Sequence, residues 1–253
     1  MIVTFLGTGT SQGVPMIGCS CEVCTSGDGR DKRLRTAVWV QTGDVSLVID
    51  TGPDFRYQAL RAGIPKLDAV LFTHGHKDHT AGMDDIRAYN YWQEAAIDIF
   101  ASEETQEVLK REFQYVFSGP HYPGIPEVNV HTIDTQPFLV KGLEVLPLKV
   151  LHYKMEVLGF RMGDFAYITD ANYLPDATRE QIKGCSVLVL NALRHEKHIS
   201  HFTLAEALEI IADVKPEKAY LTHISHQLGR HADVARLLPP NVFLAEDGLR
   251  LEM

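Results

Sequence analysis

Residues 70–79, Val-Leu-Phe-Thr-His-Gly-His-Lys-Asp-His, place four potential metal ligands within six positions: His74, His76, Asp78 and His79. Neither a strand, with its period of 2, nor a helix, with its period of 3.6, can aim all of them one way. The apolar run at 69–72 reads as a short buried strand. The ligands converge only if that strand empties into a tight loop, and Gly75 is expected to supply the backbone freedom for it. Imidazole and carboxylate together suit zinc, manganese or iron, and donors this close can divide between two neighbouring ions. A polar surface loop with chance histidines is the plain alternative, and it leaves the density unexplained.

A second cluster is Cys19-Ser20-Cys21-Glu22-Val23-Cys24. Thiolates so close, on a loop rich in Gly and Pro, can wrap one tetrahedral zinc if a fourth ligand arrives from elsewhere. Ser20 and Glu22 between them argue against a buried apolar trio. Crowded cysteines suit metal in a reducing compartment better than a disulfide framework. Cys185, alone beside an apolar strand, reads as core.

Three further donors stand at the ends of predicted strands: His152, Asp170 and His223. Together with the 70–73 edge they suggest a single lip where ligands gather. Asp50 also ends a strand, before Thr51-Gly52-Pro53. It can cap that turn or accept a hydrogen bond from a ligating histidine.

The elements that must position these groups follow from periodicity and breakers. Strands are expected at 2–6, 36–41, 45–50, 97–101, 129–133, 143–151, 157–162, 165–169, 187–191 and 219–222. Helices are expected at 54–62, 84–93, 103–116, 176–183 and 203–212. Each half of the chain runs β-rich and then βα. Tyr89, Tyr91 and Trp92 can line a pocket, although aromatic residues at this density more often read as core. Residues 117–127 read as loop, with His121 a surface residue in it. The Gly7–Gly13 turn follows a strand, but the Rossmann spacing and the Lys-Ser/Thr of a P-loop are both missing.

The 253 residues suffice for one large domain, expected here over 1–253, or for two small ones. A formal charge of −9 gives no global attraction for a polyanion. Ions bound at the histidine cluster would still draw in a small anion. The chain opens on a strand-like Ile-Val-Thr-Phe-Leu, and no apolar run nears membrane-spanning length. A cytoplasmic protein with no membrane or extended nucleic-acid partner is expected, and a homodimer is compatible with it.

His74-x-His76-x-Asp78-His79, followed in order by His152, Asp170 and His223, resembles the metallo-β-lactamase superfamily of binuclear metallohydrolases over the whole chain. The resemblance implies an α/β fold, a four-layered αβ/βα sandwich of two mixed β-sheets flanked by helices. It implies that His74, His76 and His152 hold one ion, that Asp78, His79 and His223 hold the other, and that Asp170 bridges them. Three stretches, Gly7–Pro15, Gly18–Cys24 and Leu221-Thr222-His223-Ile224-Ser225-His226-Gln227, resemble the PhnP-type cyclic phosphodiesterases. There the three cysteines and a late histidine, here His226, hold a structural zinc. A histidine ahead of the last large helix serves as general acid or positions phosphate. His201 fits that place, with His195 and His198 as neighbouring rivals.

The implied activity is hydrolysis of a phosphodiester, in one form a small cyclic one, by a hydroxide shared between two Mn or Zn ions. Asp78 and Asp170 act as ligands at the catalytic centre and His201 as proton donor. A tRNase Z-like nuclease shares the ligands, but it normally carries a long basic arm and lacks the cysteine cluster. A PqqB-like cofactor-biosynthesis role shares the thiolates. Redox-type members tend to exchange one histidine for a carboxylate, whereas every expected ligand is present here.

Overall fold

Alternating apolar residues become the walls of two sheets. The structure, a computed structural model, describes residues 1–118 and 124–253; His121 lies outside the described residues. The chain divides into two compact units, one of Met1–Leu6, Ala37–Asp134 and Gly248–Met253, the other of Gly7–Thr36 and Thr135–Asp247.

The first unit contains β1 (Ile2–Gly7), β2 (Ala37–Thr42), β3 (Val45–Ile49), β4 (Ala69–Leu71), β5 (Ile97–Ala101) and β6 (Val128–Thr132). Its helices are α1 (Phe55–Ala62), α2 (Lys77–Thr80), α3 (Arg87–Gln93), α4 (Glu103–Glu112) and α5 (Gln114–Phe117). The second unit contains β7 (Phe138–Val140), β8 (Leu143–His152), β9 (Met155–Met162), β10 (Phe165–Tyr167), β11 (Val187–Asn191), β12 (Lys218–Thr222) and β13 (Val242–Leu244). Its helices are α6 (Asp176–Ile182), α7 (Leu204–Val214) and α8 (His231–Ala235). The last strand, β14 (Arg250–Glu252), returns to the first unit and runs antiparallel to β1.

Each unit has one mixed seven-stranded sheet, ordered β14-β1-β2-β3-β4-β5-β6 in the first and β13-β12-β11-β10-β9-β8-β7 in the second. In both, an antiparallel stretch passes into parallel strands linked through helices. That is the β-then-βα rhythm expected of the sequence. The sheets and their helices have the content of the expected α/β class.

The period-2 pattern shows in one row of cross-strand neighbours. Trp39 faces Val48, Val48 faces Val70, and Val70 faces Ile99. All are buried with Phe55, Met83, Ile86 and Leu109 from the helical segments. In the second unit α7 turns Leu204, Ala207, Ile210, Ile211 and Val214 onto Leu188, Leu190, Ala219 and Leu221. Burying each of its larger side chains contributes about 1.5–3 kcal/mol. A capping box starts α7: Glu206 N–H donates to Thr203 Oγ1 (3.2 Å), and Thr203 N–H donates to Glu206 Oε2 (2.9 Å).

Several expectations need correction. Helix 103–116 breaks at Phe113, and helix 84–93 begins as a 3₁₀ turn over Met83–Ile86. Tyr91 and Trp92 are not core; they are 75% and 79% exposed. Tyr89 does pack against the first unit's core, and Cys185 is buried in the second's. Gly75 does not adopt a left-handed backbone. Its lack of a side chain serves close packing, since a Cβ there would meet Val108 Cγ2 at 2.8 Å. No helix among the described residues is long and apolar enough to cross a membrane.

Candidate active site

The site residues follow strand ends in both units. In the first, β3 ends at Ile49 and hands over to Asp50, and β4 ends at Leu71 just before Phe72-Thr73-His74. In the second, His152 is the last residue of β8, Asp170 follows β10 by three residues, and His223 directly follows β12. Asp50, Asp170 and His223 all adopt positive φ, 65°, 54° and 54°. Left-handed backbone at non-glycine residues is sparsely populated and gathers at functional sites.

Asp50 organises the first unit's half. It is fully buried and accepts three hydrogen bonds: from Thr73 N–H (2.8 Å), Thr73 Oγ1 (2.8 Å) and His79 Nδ1 (2.7 Å). Burial pushes its carboxyl above the usual range, against the pull of His79 and Thr73. Because Thr73 Oγ1 spends its proton on Asp50, it accepts from His74 Nδ1 at 3.0 Å. These partners assign the proton to Nδ1 in both His74 and His79, which leaves the lone pair on Nε2. His74 Nε2 faces His76 Nδ1 at 3.0 Å, and His79 Nε2 faces Asp78 Oδ2 at 3.2 Å.

The second unit repeats the device. His152 Nδ1 donates to the Ser200 carbonyl at 2.9 Å, again leaving the lone pair on Nε2. His223 Nδ1 stands 3.0 Å from Asp170 Oδ1, and its Nε2 lies 3.3 Å from Thr10 Oγ1. Thr169 Oγ1 donates to Asp170 Oδ1 at 2.7 Å. His201 is buried beside them, its ring stacked on His223 at 4.8 Å and edge-on to His152 at 4.7 Å. Its Nδ1 makes no hydrogen bond among the described residues, and Asp170 Oδ2 is 4.0 Å away. Burial, then the neighbouring His223, lower its pKa to about 3.

Two backbone bonds place His201. Phe202 N–H donates to Ala171 O (2.8 Å) and Leu193 N–H to Phe202 O (3.0 Å), so the turn before α7 is tied to the β10 and β11 ends. Of the rivals, His195 Nε2 donates to the Leu228 carbonyl at 2.9 Å. His198 lies with its ring 5.0 Å from that of His201.

Cys19, Cys21, Cys24 and His226 meet with their ligand atoms all within 4.8 Å of one another. His226 Nδ1 is 3.5 Å from Cys19 Sγ and 3.3 Å from Cys21 Sγ. A tetrahedral zinc with bonds of about 2.3 Å to sulfur and 2.0–2.1 Å to nitrogen puts those atoms about 3.5 Å apart. The N–H of Cys24, then His226, lower the Cys21 thiol to about 6, while burial raises that of Cys24 to about 11. The four side chains fit a structural zinc.

The histidine and aspartate donors also fit divalent ions. Two nitrogens about 2.0–2.1 Å from one ion, at about 90–110°, stand about 2.9–3.4 Å apart. The 3.0 Å between His74 and His76 falls in that interval. Nδ1 of His74, His79 and His152 is tied to a protein acceptor, as a ligating imidazole requires.

A family model for the beta-lactamase superfamily domain matches residues 46–224. The chain belongs to the metallo-β-lactamase superfamily. Within it, the chain is similar to a solved diphosphatase of the PhnP family: 42% identity, a TM-score of 0.93, and coverage of 100% of this chain and 97% of that one. A Porphyromonas gingivalis protein named octanoyltransferase is 39% identical over 96% of this chain, and the chain spans 50% of that protein's length. Zinc-bound PqqB from Methylobacterium extorquens, at 19% identity, a TM-score of 0.79 and full coverage of both chains, shares the fold.

Thr73, Ser200 and Thr10 were not singled out by sequence reasoning. Thr73 was the findable one, since it directly precedes His74 at a strand end.

Proposed function

We propose that this superfamily member hydrolyses a phosphodiester, small cyclic ones included, at a pair of Mn or Zn ions. In this reading His74, His76 and His152 hold one ion, Asp78, His79 and His223 hold the other, and Asp170 holds both. Cys19, Cys21, Cys24 and His226 hold a structural zinc, and residues 1–253 act as one cytoplasmic domain. The observation that carries the reading is the full-length 42% identity to a PhnP-family diphosphatase.

When bound, such ions bring the pKa of water toward ~7 and stabilise negative charge on phosphoryl oxygens. Asp50 and Thr73 hold the His74 and His79 rings in their ligating tautomer, and the Ser200 carbonyl does the same for His152. His201, neutral near pH 7 with its pKa at about 3, offers one N–H donor. That N–H positions a phosphoryl oxygen. If solvent protonates the second ring nitrogen, which the bound phosphodiester anion favours, the imidazolium would pass that proton to the departing alkoxide and return to the neutral ring.

The test is a panel of bis(p-nitrophenyl) phosphate, 2′,3′-cyclic nucleotides, a nucleoside diphosphate ester, a lactam and a thioester, with metal analysis of the same sample. Turnover of the phosphodiesters that chelation abolishes and Mn or Zn restores supports the reading; turnover of only the lactam or thioester sinks it. A second reading, cleavage of a diphosphate bond, is favoured by the name of the PhnP-family neighbour. Steep salt-dependent binding of a transfer-RNA precursor would point instead to the nuclease alternative.

A further inference from the structure

β11 lies inside the second unit's sheet and reads Val-Leu-Val-Leu-Asn, with its last residue, Asn191, fully buried. Asparagine suits such a place poorly, because an apolar residue there would need no hydrogen-bond partner. Its carboxamide is spent on a single residue. Asn191 Oδ1 accepts from Ala171 N–H at 2.8 Å, and Asn191 Nδ2 donates to Ala171 O at 2.9 Å. β10 pairs in parallel with β11 as far as Tyr167 beside Val189, and Ile168 N–H still donates to Val189 O at 2.9 Å. Asp170 then turns left-handed, and the backbone ladder cannot follow it. The Asn191 side chain takes over, offering Ala171 the acceptor and the donor that a neighbouring strand would.

Three residues of the site depend on this junction. Ala171 N–H belongs to the peptide that leaves Asp170, so its bond to Asn191 fixes the plane that follows that carboxylate. Ala171 O, held by Asn191 Nδ2, also accepts at 2.8 Å from Phe202 N–H, which lies in the peptide that leaves His201. On the other side Asn191 pairs with Thr222 in the β11–β12 register. Ala192 N–H donates to Thr222 O at 3.0 Å, in the peptide that enters His223. The peptides adjoining Asp170, His201 and His223 therefore meet around one buried carboxamide.

Resting on the assignment of Asp170 and His223 as ligands in the proposed function, we infer that Asn191 is a positioning residue whose carboxamide sets the spacing of Asp170, His201 and His223. Groups that bind or react must be held to within about 0.5 Å of their working geometry by the residues behind them. Because Asp170 holds both ions in that reading, loosening the Asn191 clamp weakens both. This separates Asn191 from Asp50, which bears on the His79-bound ion.

The experiment compares the full chain with Asn191→Ser, Asn191→Asp and Ile210→Ala. Serine is too short to span both Ala171 groups. Aspartate keeps the shape and the acceptor but turns the donor into an oxygen facing Ala171 O. Ile210→Ala opens a cavity beneath α7 and serves as a control for lost stability alone. In chelator competition with Mn and Zn, both Asn191 variants should lose about 10–100-fold in affinity for both ions, and Ile210→Ala should not. In the metal-free chains, hydrogen exchange at the Ala171 amide should quicken about tenfold in Asn191→Ser relative to the β11 amides. Ion affinities equal to wild type in either Asn191 variant overturn the inference, as does an equal loss in Ile210→Ala. Should Asn191→Ser not fold, Asn191→Asp carries the comparison, since a residue that merely fills space tolerates an isostere. If wild type binds no ions at the histidine and aspartate donors, the functional reading fails instead. The exchange arm then still decides the clamp, and unchanged Ala171 exchange overturns it.

Discussion

Replacing Asp50 by Asn tests whether this carboxylate sets the ligand tautomers. The change keeps the side chain's shape and turns one acceptor oxygen into an NH₂ donor. Among the described residues Oδ1 accepts only from Thr73 N–H, a bond that Asn can keep. Oδ2 accepts from both Thr73 Oγ1 and His79 Nδ1. The threonine hydroxyl can rotate and accept from the new amide at small cost. His79 has no such freedom. It must either leave a buried N–H unsatisfied against the amide or move its proton to Nε2, the nitrogen aimed at Asp78.

The first outcome costs about 1.5–3 kcal/mol, the worth of a hydrogen bond to a charged group. The second removes the ligating lone pair. Losses of about 10–100-fold in metal affinity are usual when such a supporting residue is changed. Asp50→Asn should therefore lose affinity for the His79-bound ion by about 10–100-fold, measured by chelator competition. The zinc proposed at Cys19, Cys21, Cys24 and His226 should stay bound in the same sample, which separates the effect from unfolding. Ion affinity equal to that of wild type would refute the tautomer argument.

Cys21→Ser should remove one zinc per chain and lower the thermal midpoint; a full metal count in that variant would mean the thiolate site is wrongly assigned. His201→Ala should cut turnover about 10²–10⁴-fold with metal content intact, and a parallel loss of metal would make His201 structural. Gly75→Ala should cost about 1–3 kcal/mol in urea unfolding from overpacking against Val108, and Val108→Ala in the same chain should recover part of it. Burial, then Arg33, whose Nη2 is 3.2 Å from Nδ1, lower His231 from the ordinary 6.5 to about 4. Between those values the unfolded chain binds more protons, so this contribution is full above pH 6.5 and is lost as pH falls toward 4. His231→Asn should flatten the fall of the urea midpoint between pH 7 and 4.5, and an unchanged slope would count against this account.

The candidate donors could be named because residue type and local spacing mark them. Cys19, Cys21 and Cys24 stand out by spacing alone, and the structure brings His226 to them. Asp50 could be read as a supporting acceptor because it ends a strand. What supports the other rings was not legible. The partner of His152 is a main-chain carbonyl, Ser200 O, and every residue has one. Tyr91 and Trp92 misled because aromatic density usually marks core, whereas α3 buries none of its residues. The short strands β7, β13 and β14 escaped because three residues are too few to show a period.

The least legible feature is the left-handed backbone at Asp50, Asp170 and His223, since nothing in those residue types requires it. Each such residue costs about 1–3 kcal/mol and persists only where its surroundings over-determine it. Those surroundings are visible at the residue that follows each one. Thr51 N–H donates to His79 O at 2.8 Å, Ala171 N–H to Asn191 Oδ1 at 2.8 Å, and Ile224 N–H to Thr8 O at 2.9 Å. Each bond ties the turn to a neighbouring segment of its own unit just after a strand has ended. The side chain in between is thereby held off the sheet direction, where an extended residue would point above or below the sheet. Strand-end donors in this chain are therefore aimed by the backbone of the next residue, so a sequence can name them without showing where they point.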